Sequence, residues 1–117
     1  MKSVPKGRDG EAAAAAELEA RGYRIVARNF RSRSGEVDLI ALDGDTLVFV
    51  EVKAWTRFGI EDLEYSITAR KRGRIIETAK FFLATHREYN SMAVRFDIVF
   101  IGEAGLRHLA SAFTERV

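Results

Sequence analysis

The spacing of apolar residues along the chain changes from helical to strand-like at Gly22. Before this glycine, apolar residues recur at intervals of three and four on one face of a helix predicted over residues 10–21, and Glu11 is the single acidic residue on that face. We expect Asp9 to cap this helix and Gly22 to end it. Beyond Gly22, short runs rich in Val, Leu, Ile and Phe predict three strands, at residues 23–30, 35–42 and 45–53.

The second half of the chain predicts a long helix followed by further strands. A helix over residues 67–88 carries four apolar residues on one face, namely Ile75, Ala79, Phe82 and Leu83. Residues 55–61 read as a loop, residues 95–101 as a strand and residues 106–113 as a last strand. This order of elements predicts a layered α/β domain with a central mixed β-sheet flanked by helices.

The hairpin between the second and third strands concentrates charge on one face of the sheet. An Asp-Gly pair at residues 43–44 is a strong hairpin signal, and a turn centred on it pairs Asp38 with Phe49 and Glu36 with Glu51. Side chains alternate between the two faces of a strand. The opposite face is then apolar, with Val37, Leu39, Val48, Val50 and Val52. The charged face carries Glu36, Asp38, Glu51 and Lys53.

Three carboxylates on one patch repel each other, and a cation is the simplest compensation. Lys53 supplies only one positive charge, so the pattern favours a divalent ion with oxygen ligands, which can activate water for attack on a phosphodiester. The alternative is that these are solvated residues of a half-exposed strand, with Glu51 and Lys53 forming a surface ion pair worth under about 1 kcal/mol. The run at residues 47–50 argues against that alternative, because it is typical of a strand buried on both faces.

Composition limits the class of protein. The 117 residues (13.2 kDa, 47% hydrophobic) suffice for one domain with a core, which we place at residues 10–117 after a flexible polar tail at residues 1–9. The absence of cysteine excludes disulfide scaffolds, thiolate nucleophiles and Cys-based zinc sites. No apolar run reaches the length of a membrane helix and the N-terminus lacks a signal-peptide pattern, so we expect a cytoplasmic protein without membrane contact.

Basic residues are clustered although the net charge is only +2. One cluster comprises Arg21, Arg24, Arg28, Arg31 and Arg33, and a second comprises Arg70, Lys71, Arg72 and Arg74. Such clusters can contact phosphates and position a duplex without reading its sequence, or they can simply form a solvated face. Trp55 and Arg57, in the loop after Lys53, would lie near a substrate, although Trp55 could equally anchor the loop. Lys71 borders the core-facing stripe of its helix and would point toward the carboxylates.

Three other titratable residues are not assigned a functional role from the sequence. Neither His86 nor His108 has a partner at metal-ligand spacing, so both are read as ordinary polar residues. Asp97, flanked by apolar residues, is expected to pair with an arginine in the interior.

The two strand segments Gly35–Ala41 and Phe49–Lys53 resemble the PD-(D/E)xK nuclease core. Over about residues 10–101 the chain is similar to the YraN family of predicted endonucleases, which in turn resembles archaeal Holliday-junction resolvases. The similarity also includes Gly10-Glu11, Gly22-Tyr23, Arg28-Asn29-Phe30-Arg31, Phe58-Gly59, Lys71 and Arg95-Phe96-Asp97. Trp55 departs from the pattern, because the family often has an arginine at that position.

The resemblance implies a restriction-endonuclease-like fold and a role for each matching residue. Asp38 and Glu51 would be ligands of Mg²⁺ or Mn²⁺, Lys53 the catalytic lysine, and Glu11 the helical carboxylate that completes the site. Glu36 stays open between a further metal ligand and a group that orients one.

The function implied is metal-dependent hydrolysis of DNA phosphodiesters, on branched or otherwise structured DNA rather than on a particular sequence. The residues expected to bind nucleic acid are Arg28, Arg31, Arg33, Arg57 and Lys71. By analogy with resolvases, which cut two strands symmetrically, a homodimer is expected. The alternative function is a nucleic-acid-binding module that keeps the nuclease fold with little or no turnover.

Overall fold

A five-stranded mixed sheet is the centre of the computed structural model, which describes residues 7–54, 68–102 and 105–113. The strands are β1 (Arg24–Ser32), β2 (Gly35–Asp43), β3 (Thr46–Ala54), β4 (Ala93–Gly102) and β5 (Gly105–Phe113). The helices are α1 (Gly7–Ala20) and α2 (Ala69–Thr85), and a short 3₁₀ turn spans Arg87–Tyr89. The strands lie in chain order, with β3 and β4 parallel and the other neighbours antiparallel. This is the α/β arrangement that the sequence predicts, and it is consistent with a restriction-endonuclease-like fold.

The two helices cover opposite faces of the sheet. On one face, Ala14, Ala15 and Leu18 of α1 pack against a buried cluster that contains Leu39, Val48, Val50, Val99 and Ile101. On the other face, Ile75, Ala79 and Phe82 of α2 pack against Val37, Ile40, Leu47, Phe49 and Phe96. Residues 47–50 of β3 are at most 1% exposed, which confirms a central strand buried on both faces. Among the described helices, none has the length and hydropathy needed to cross a membrane.

Helix α1 ends where the sequence predicts but begins earlier. Gly22 adopts φ +93°, and the Tyr23 N–H donates to the Leu18 carbonyl (2.9 Å), which closes the helix as a glycine terminus does. At the other end, α1 already includes Gly7, so Asp9 lies within the helix and the N-cap prediction is wrong. The helix thus begins three residues before the predicted start at residue 10. Residues 1–6 lie outside the described part.

The turn between β2 and β3 is shifted by one residue from the prediction. Asp43 pairs with Thr46, so the turn is centred on Gly44, at φ +58°, and Asp45. Every pairing therefore moves by two residues, and the next positions beyond the pair Leu39–Val50 are Asp38 and Glu51. A shift of two residues preserves the face of each side chain, so the predicted grouping of charges survives the error in register.

Strand β2 bends at Asp38. Val37 packs with Ile40 on the α2 face, three residues apart, whereas regular alternation predicts Val37 on the α1 face. The neighbouring strand is irregular at the same level, because Asn29 adopts φ +51° between the pairs Arg28–Leu39 and Phe30–Val37. The bend explains why the prediction for Val37 is wrong.

The second helix is shorter than predicted. It spans Ala69–Thr85, and the Thr68 hydroxyl caps it by accepting from the Lys71 N–H (3.2 Å). The last strand, β5, is confirmed at Gly105–Phe113. The predicted loop at residues 55–61, with Trp55 and Arg57, lies outside the described residues.

Candidate active site

A cleft of about 210 Å³ lies between the start of β2, the end of β3 and the first turns of α2. It is lined by Gly35, Glu36, Asp38, Glu51, Lys71, Arg74 and Ile75. Three of the four carboxylates predicted from the sequence therefore line one cleft, with two cationic side chains opposite them. Lys53 is not part of this lining among the described residues.

Asp38 is the most perturbed carboxyl group of the cleft. Its Oδ2 accepts a hydrogen bond from the Val52 backbone N–H (2.8 Å), and its carboxyl group lies within hydrogen-bonding reach of those of Glu51 and Glu11. Burial, followed by the negative charge of Glu51, raises the pKa of Asp38 to about 7, although the bond from Val52 opposes the shift. Near neutral pH this carboxyl group therefore exchanges readily between its charged and neutral forms.

Glu11 reaches the same group of acids from α1. The buried residues Ala14 and Leu18 on the same face confirm that this face of the helix meets the sheet. The Glu11 side chain is hydrogen-bonded to Asp38 and Asn29, and burial together with the charge of Asp38 raises its pKa. Asn29 was not recognised from the sequence. It lies in the segment Arg28–Arg31 that supports the family resemblance, and its positive φ is a conformation that asparagine tolerates better than most residues.

Glu51 is the most buried carboxylate of the cleft and has a cationic partner. Its side chain is 6% exposed, and its Oε2 forms an ion pair with the ammonium of Lys71, a side chain that is 47% exposed. The expectation that Lys71 points toward the carboxylates is thus confirmed. A carboxylate this deeply buried needs such a partner, because an unpaired charge in the interior is costly.

Lys53 and Glu36 occupy less central positions. Lys53 lies two residues beyond Glu51 on β3 and is half-buried, and among the described residues none forms an ion pair with its ammonium. Glu36 lies at the rim of the cleft, where its carboxylate is 3.5 Å from the guanidinium of Arg31. Among the described residues, the cation paired with the buried Glu51 carboxylate is therefore Lys71.

A small polar contact fixes α2 beside the cleft. The hydroxyl of Thr78, which is fully buried, donates to the Arg74 carbonyl (2.8 Å) and lies 3.0 Å from the Ser32 hydroxyl at the end of β1. Gly35 adopts φ +155°, and a Cβ at this position would lie 3.3 Å from the Arg74 Cβ. The absence of a side chain at Gly35 therefore lets the helix approach β2 and hold Lys71 over Glu51.

The donor atoms suit a hard divalent cation held by two carboxylates. Within residues 7–54, 68–102 and 105–113, no group of three or more Asp, Glu, His or Cys side chains is arranged to hold a metal ion. Mg²⁺, however, is commonly bound by one or two carboxylates, with water and substrate phosphate as the other ligands. Asp38 and Glu51, adjacent on neighbouring strands, fit that smaller site. Glu11 and Glu36 as further ligands stay predictions.

Basic residues are exposed on β1 and in the β1–β2 turn. Arg28, Arg31 and Arg33 are exposed there, and Arg31, whose side chain is 76% exposed, pairs with Glu36 at the rim of the cleft. A wider groove of about 610 Å³ shares Arg74 with the cleft, and its other lining residues are Ser34, Arg70, Gly73, Ile76, Glu77 and Lys80. Among the described residues, this groove thus carries three cationic side chains and one acidic side chain.

A second polar cluster lies on the α1 face of β4. Asp97 is buried and accepts from both the Arg95 guanidinium (2.9 and 3.0 Å) and His108 Nε2 (2.7 Å). Burial alone would raise the pKa of Asp97, but the bonds from His108 and Arg95 more than offset it and lower the pKa. The predicted pairing of Asp97 with an arginine is confirmed. His108, interpreted from the sequence as an ordinary polar residue, has a side chain that is 4% exposed and joins β5 to β4 through Asp97.

Comparison with known sequences finds a matching family model and several similar proteins. A family model described as "Uncharacterised protein family UPF0102" matches residues 10–101. A "UPF0102 protein" from Treponema pallidum is 46% identical over 118 residues, which cover 95% of this chain and 94% of the relative. Relatives of the same description from Rhodopseudomonas palustris and a Bradyrhizobium strain are 48% and 45% identical, and each alignment covers 92% of this chain and 78% of the relative.

The raised pKa of Asp38 predicts a specific pH dependence of stability. In EDTA, the folded protein retains the Asp38 proton to about pH 7, whereas the unfolded chain releases it near pH 4. The free energy of unfolding should therefore fall as the pH rises from about 4 to about 7. We expect a loss of the order of 1–2 kcal/mol, less than the full pKa difference would give because the group is only partly buried.

Asp38→Asn should abolish this loss, so that the variant is more stable than the wild type above pH 7. Urea unfolding at a series of pH values measures the difference. Asp45→Asn, on the exposed hairpin turn, controls for the loss of one negative charge. If the free energies of unfolding of the wild type and Asp38→Asn change in parallel from pH 4 to 8, the raised pKa assigned to Asp38 is wrong.

Proposed function

The chain belongs to the UPF0102 family, and we propose that it is a divalent-metal-dependent nuclease that hydrolyses DNA phosphodiesters at the cleft formed by Asp38 and Glu51. The observation that carries the proposal is the contact between these two carboxyl groups at the end of a buried strand, with a lysine ammonium on one of them. Carboxylates are rarely buried together unless function requires it, since each raises the free energy of the other's charged form.

The proposed cofactor is Mg²⁺ or Mn²⁺, with Asp38 and Glu51 as its protein ligands. When bound, such an ion polarises a phosphate oxygen and lowers the pKa of a bound water. The chain's own residues supply the positioning. The Val52 N–H fixes one oxygen of Asp38, and Glu11 contacts the same carboxyl group from α1, so that Asp38 is restrained from two sides.

Substrate binding is assigned to the exposed basic surface. Arg28, Arg31 and Arg33 are exposed, and Arg31 pairs with Glu36 at the rim of the cleft. Phosphate contacts from these arginines would orient a duplex without sequence preference. Lys53 is assigned the stabilisation of negative charge that develops on the phosphate during hydrolysis. The resemblance to archaeal Holliday-junction resolvases is what makes structured or branched DNA the proposed substrate class.

The second candidate is a DNA-binding module without turnover. The observation in its favour is the position of Lys53, which is two residues from Glu51 but is not part of the cleft lining among the described residues. A protein that only binds DNA, through its arginines, would not need Lys53 to contact the carboxylates of the cleft.

The nuclease proposal predicts metal-dependent cleavage that requires Asp38 and Lys53. Purified protein is incubated with linear, nicked, flapped and four-way DNA in Mg²⁺, Mn²⁺ or EDTA, and products are resolved on gels. We expect cleavage of at least one structured substrate with metal and none in EDTA. Asp38→Asn and Lys53→Ala should each lower the rate by about 10²–10³-fold, while DNA affinity changes by less than about tenfold.

Asp45→Asn is the matched control for Asp38→Asn and should cleave like the wild type. If the wild type binds DNA but cuts no substrate with either metal, the binding module is the better function. If the wild type cuts and Lys53→Ala cuts equally fast, the role assigned to Lys53 is wrong.

The proposed DNA surface predicts a change in salt dependence. Replacing both Arg28 and Arg31 with Ala should weaken DNA binding similarly for all sequences, and should reduce the slope of log K against log[salt] by about two units for duplex DNA. Fluorescence anisotropy from 50 to 300 mM salt, in EDTA, measures the slope. The pair Arg87→Ala and Arg107→Ala, exposed on other surfaces, makes the same change in net charge. Equal slopes for the two double variants would mean that β1 does not touch phosphate.

A further inference from the structure

Lys71 is the one cationic side chain in the described residues that touches an inner carboxylate of the cleft. Its ammonium pairs with Oε2 of Glu51, which is a ligand atom in the function proposed above. The two partners differ in their surroundings, because the Glu51 side chain is 6% exposed and that of Lys71 is 47% exposed. The carboxylate is therefore fixed in the sheet, whereas the ammonium comes from solvent on a flexible four-carbon chain.

We infer that Lys71 is a resident counter-cation that competes with the divalent ion for Glu51 and is displaced when that ion binds. The inference rests on the proposed function, since it takes Asp38 and Glu51 as the ligands. One carboxylate oxygen cannot accept the ammonium and coordinate a metal ion at full strength together, so occupation by one cation weakens occupation by the other.

The geometry favours movement of the Lys71 side chain alone, without unwinding of the first turn of α2. Its backbone is anchored by the cap, where its N–H donates to the Thr68 hydroxyl, and by the packing of Ile75 one turn later. Only the side chain has to move, and an exposed lysine side chain changes rotamer at little cost. The released ammonium stays at the cleft, within the region where a substrate phosphate would lie.

Competition of this kind has a measurable size. If the ammonium occupies Glu51 for about nine-tenths of the time, the apparent affinity for the divalent ion is about tenfold weaker than the intrinsic affinity. Removing the ammonium should recover that factor. A merely structural lysine that held Glu51 in place would have the opposite effect, because its loss would weaken metal binding.

The test is isothermal titration of Mn²⁺ into the wild type and three full-length variants. We expect Lys71→Met to bind Mn²⁺ about tenfold more tightly than the wild type, and Lys71→Arg, which retains the charge, to show no gain. Arg74→Met removes a positive charge from the same cleft without removing a contact to Glu51, and controls for the general electrostatic field. It should tighten binding by less than about threefold.

A second measurement uses the wild type alone and so does not depend on the folding of a variant. In a ¹³Cε–¹H correlation spectrum, saturating Mg²⁺ should shift the Lys71 signal, while that of Lys80, which pairs with Glu77 on the outer face of α2, should stay in place. An unchanged Lys71 signal at saturating Mg²⁺ would overturn the inference.

The outcomes separate the inference from the function. If Mn²⁺ binds and Lys71→Met binds it no more tightly than Arg74→Met does, the competition is disproved while the metal site of the proposed function stands. If neither the wild type nor Lys71→Met binds Mn²⁺, both the inference and the proposed cofactor are disproved.

Discussion

Two carboxyl groups held in contact at the end of a buried strand are the constraint on which the rest of this structure depends. Asp38 and Glu51 lie on neighbouring strands, and burial together with the negative charge of Glu51 makes the charged form of Asp38 costly. Two features limit that cost: the Val52 N–H bonded to Asp38 and the Lys71 ammonium on Glu51. Each of them neutralises or solvates negative charge without removing an acid, as expected where the acids are retained for their chemistry.

The scaffold is arranged so that both helices bring polar groups to this point. Helix α1 presents Glu11 beside its buried alanines, and α2 presents Lys71 one turn before Ile75. The close approach at Gly35 and the Thr78–Ser32 contact fix the second helix against β1 and β2. On the α1 face of β4, the Asp97 carboxylate fastens edge strand β5 through His108, and this contact stabilises the sheet at some distance from the cleft.

Much of this arrangement could be predicted from hydrophobic periodicity. The order of elements and the shared face of Asp38 and Glu51 follow from a period of two along the strands, and this grouping survives a wrong turn residue because an error of two in register keeps each side chain on its face. Glu36 lies before the bend at Asp38, so its place at the cleft does not follow from that period. The bend at Asp38 could not be predicted, since it depends on the positive φ of Asn29 in the neighbouring strand.

Contacts between side chains that are far apart in the sequence could not be predicted either. His108 meets Asp97 across the β4–β5 pairing, whose register shifts between Phe96 and Ile98, and sequence spacing carries no information about such a contact. The partner of Glu51 was predicted only in part. The apolar stripe of the helix indicated that Lys71 points toward the carboxylates, but not which of them it contacts.

The central claim is that Asp38 and Glu51 hold a divalent cation, and anomalous diffraction tests it most directly. Crystals grown with Mn²⁺ would be measured on both sides of the manganese absorption edge. The account predicts a strong anomalous peak within coordination distance, about 2.0–2.3 Å, of a carboxylate oxygen of each of the two residues. A fully soaked crystal with no peak at these carboxylates, or with its only peak elsewhere on the molecule, would contradict it.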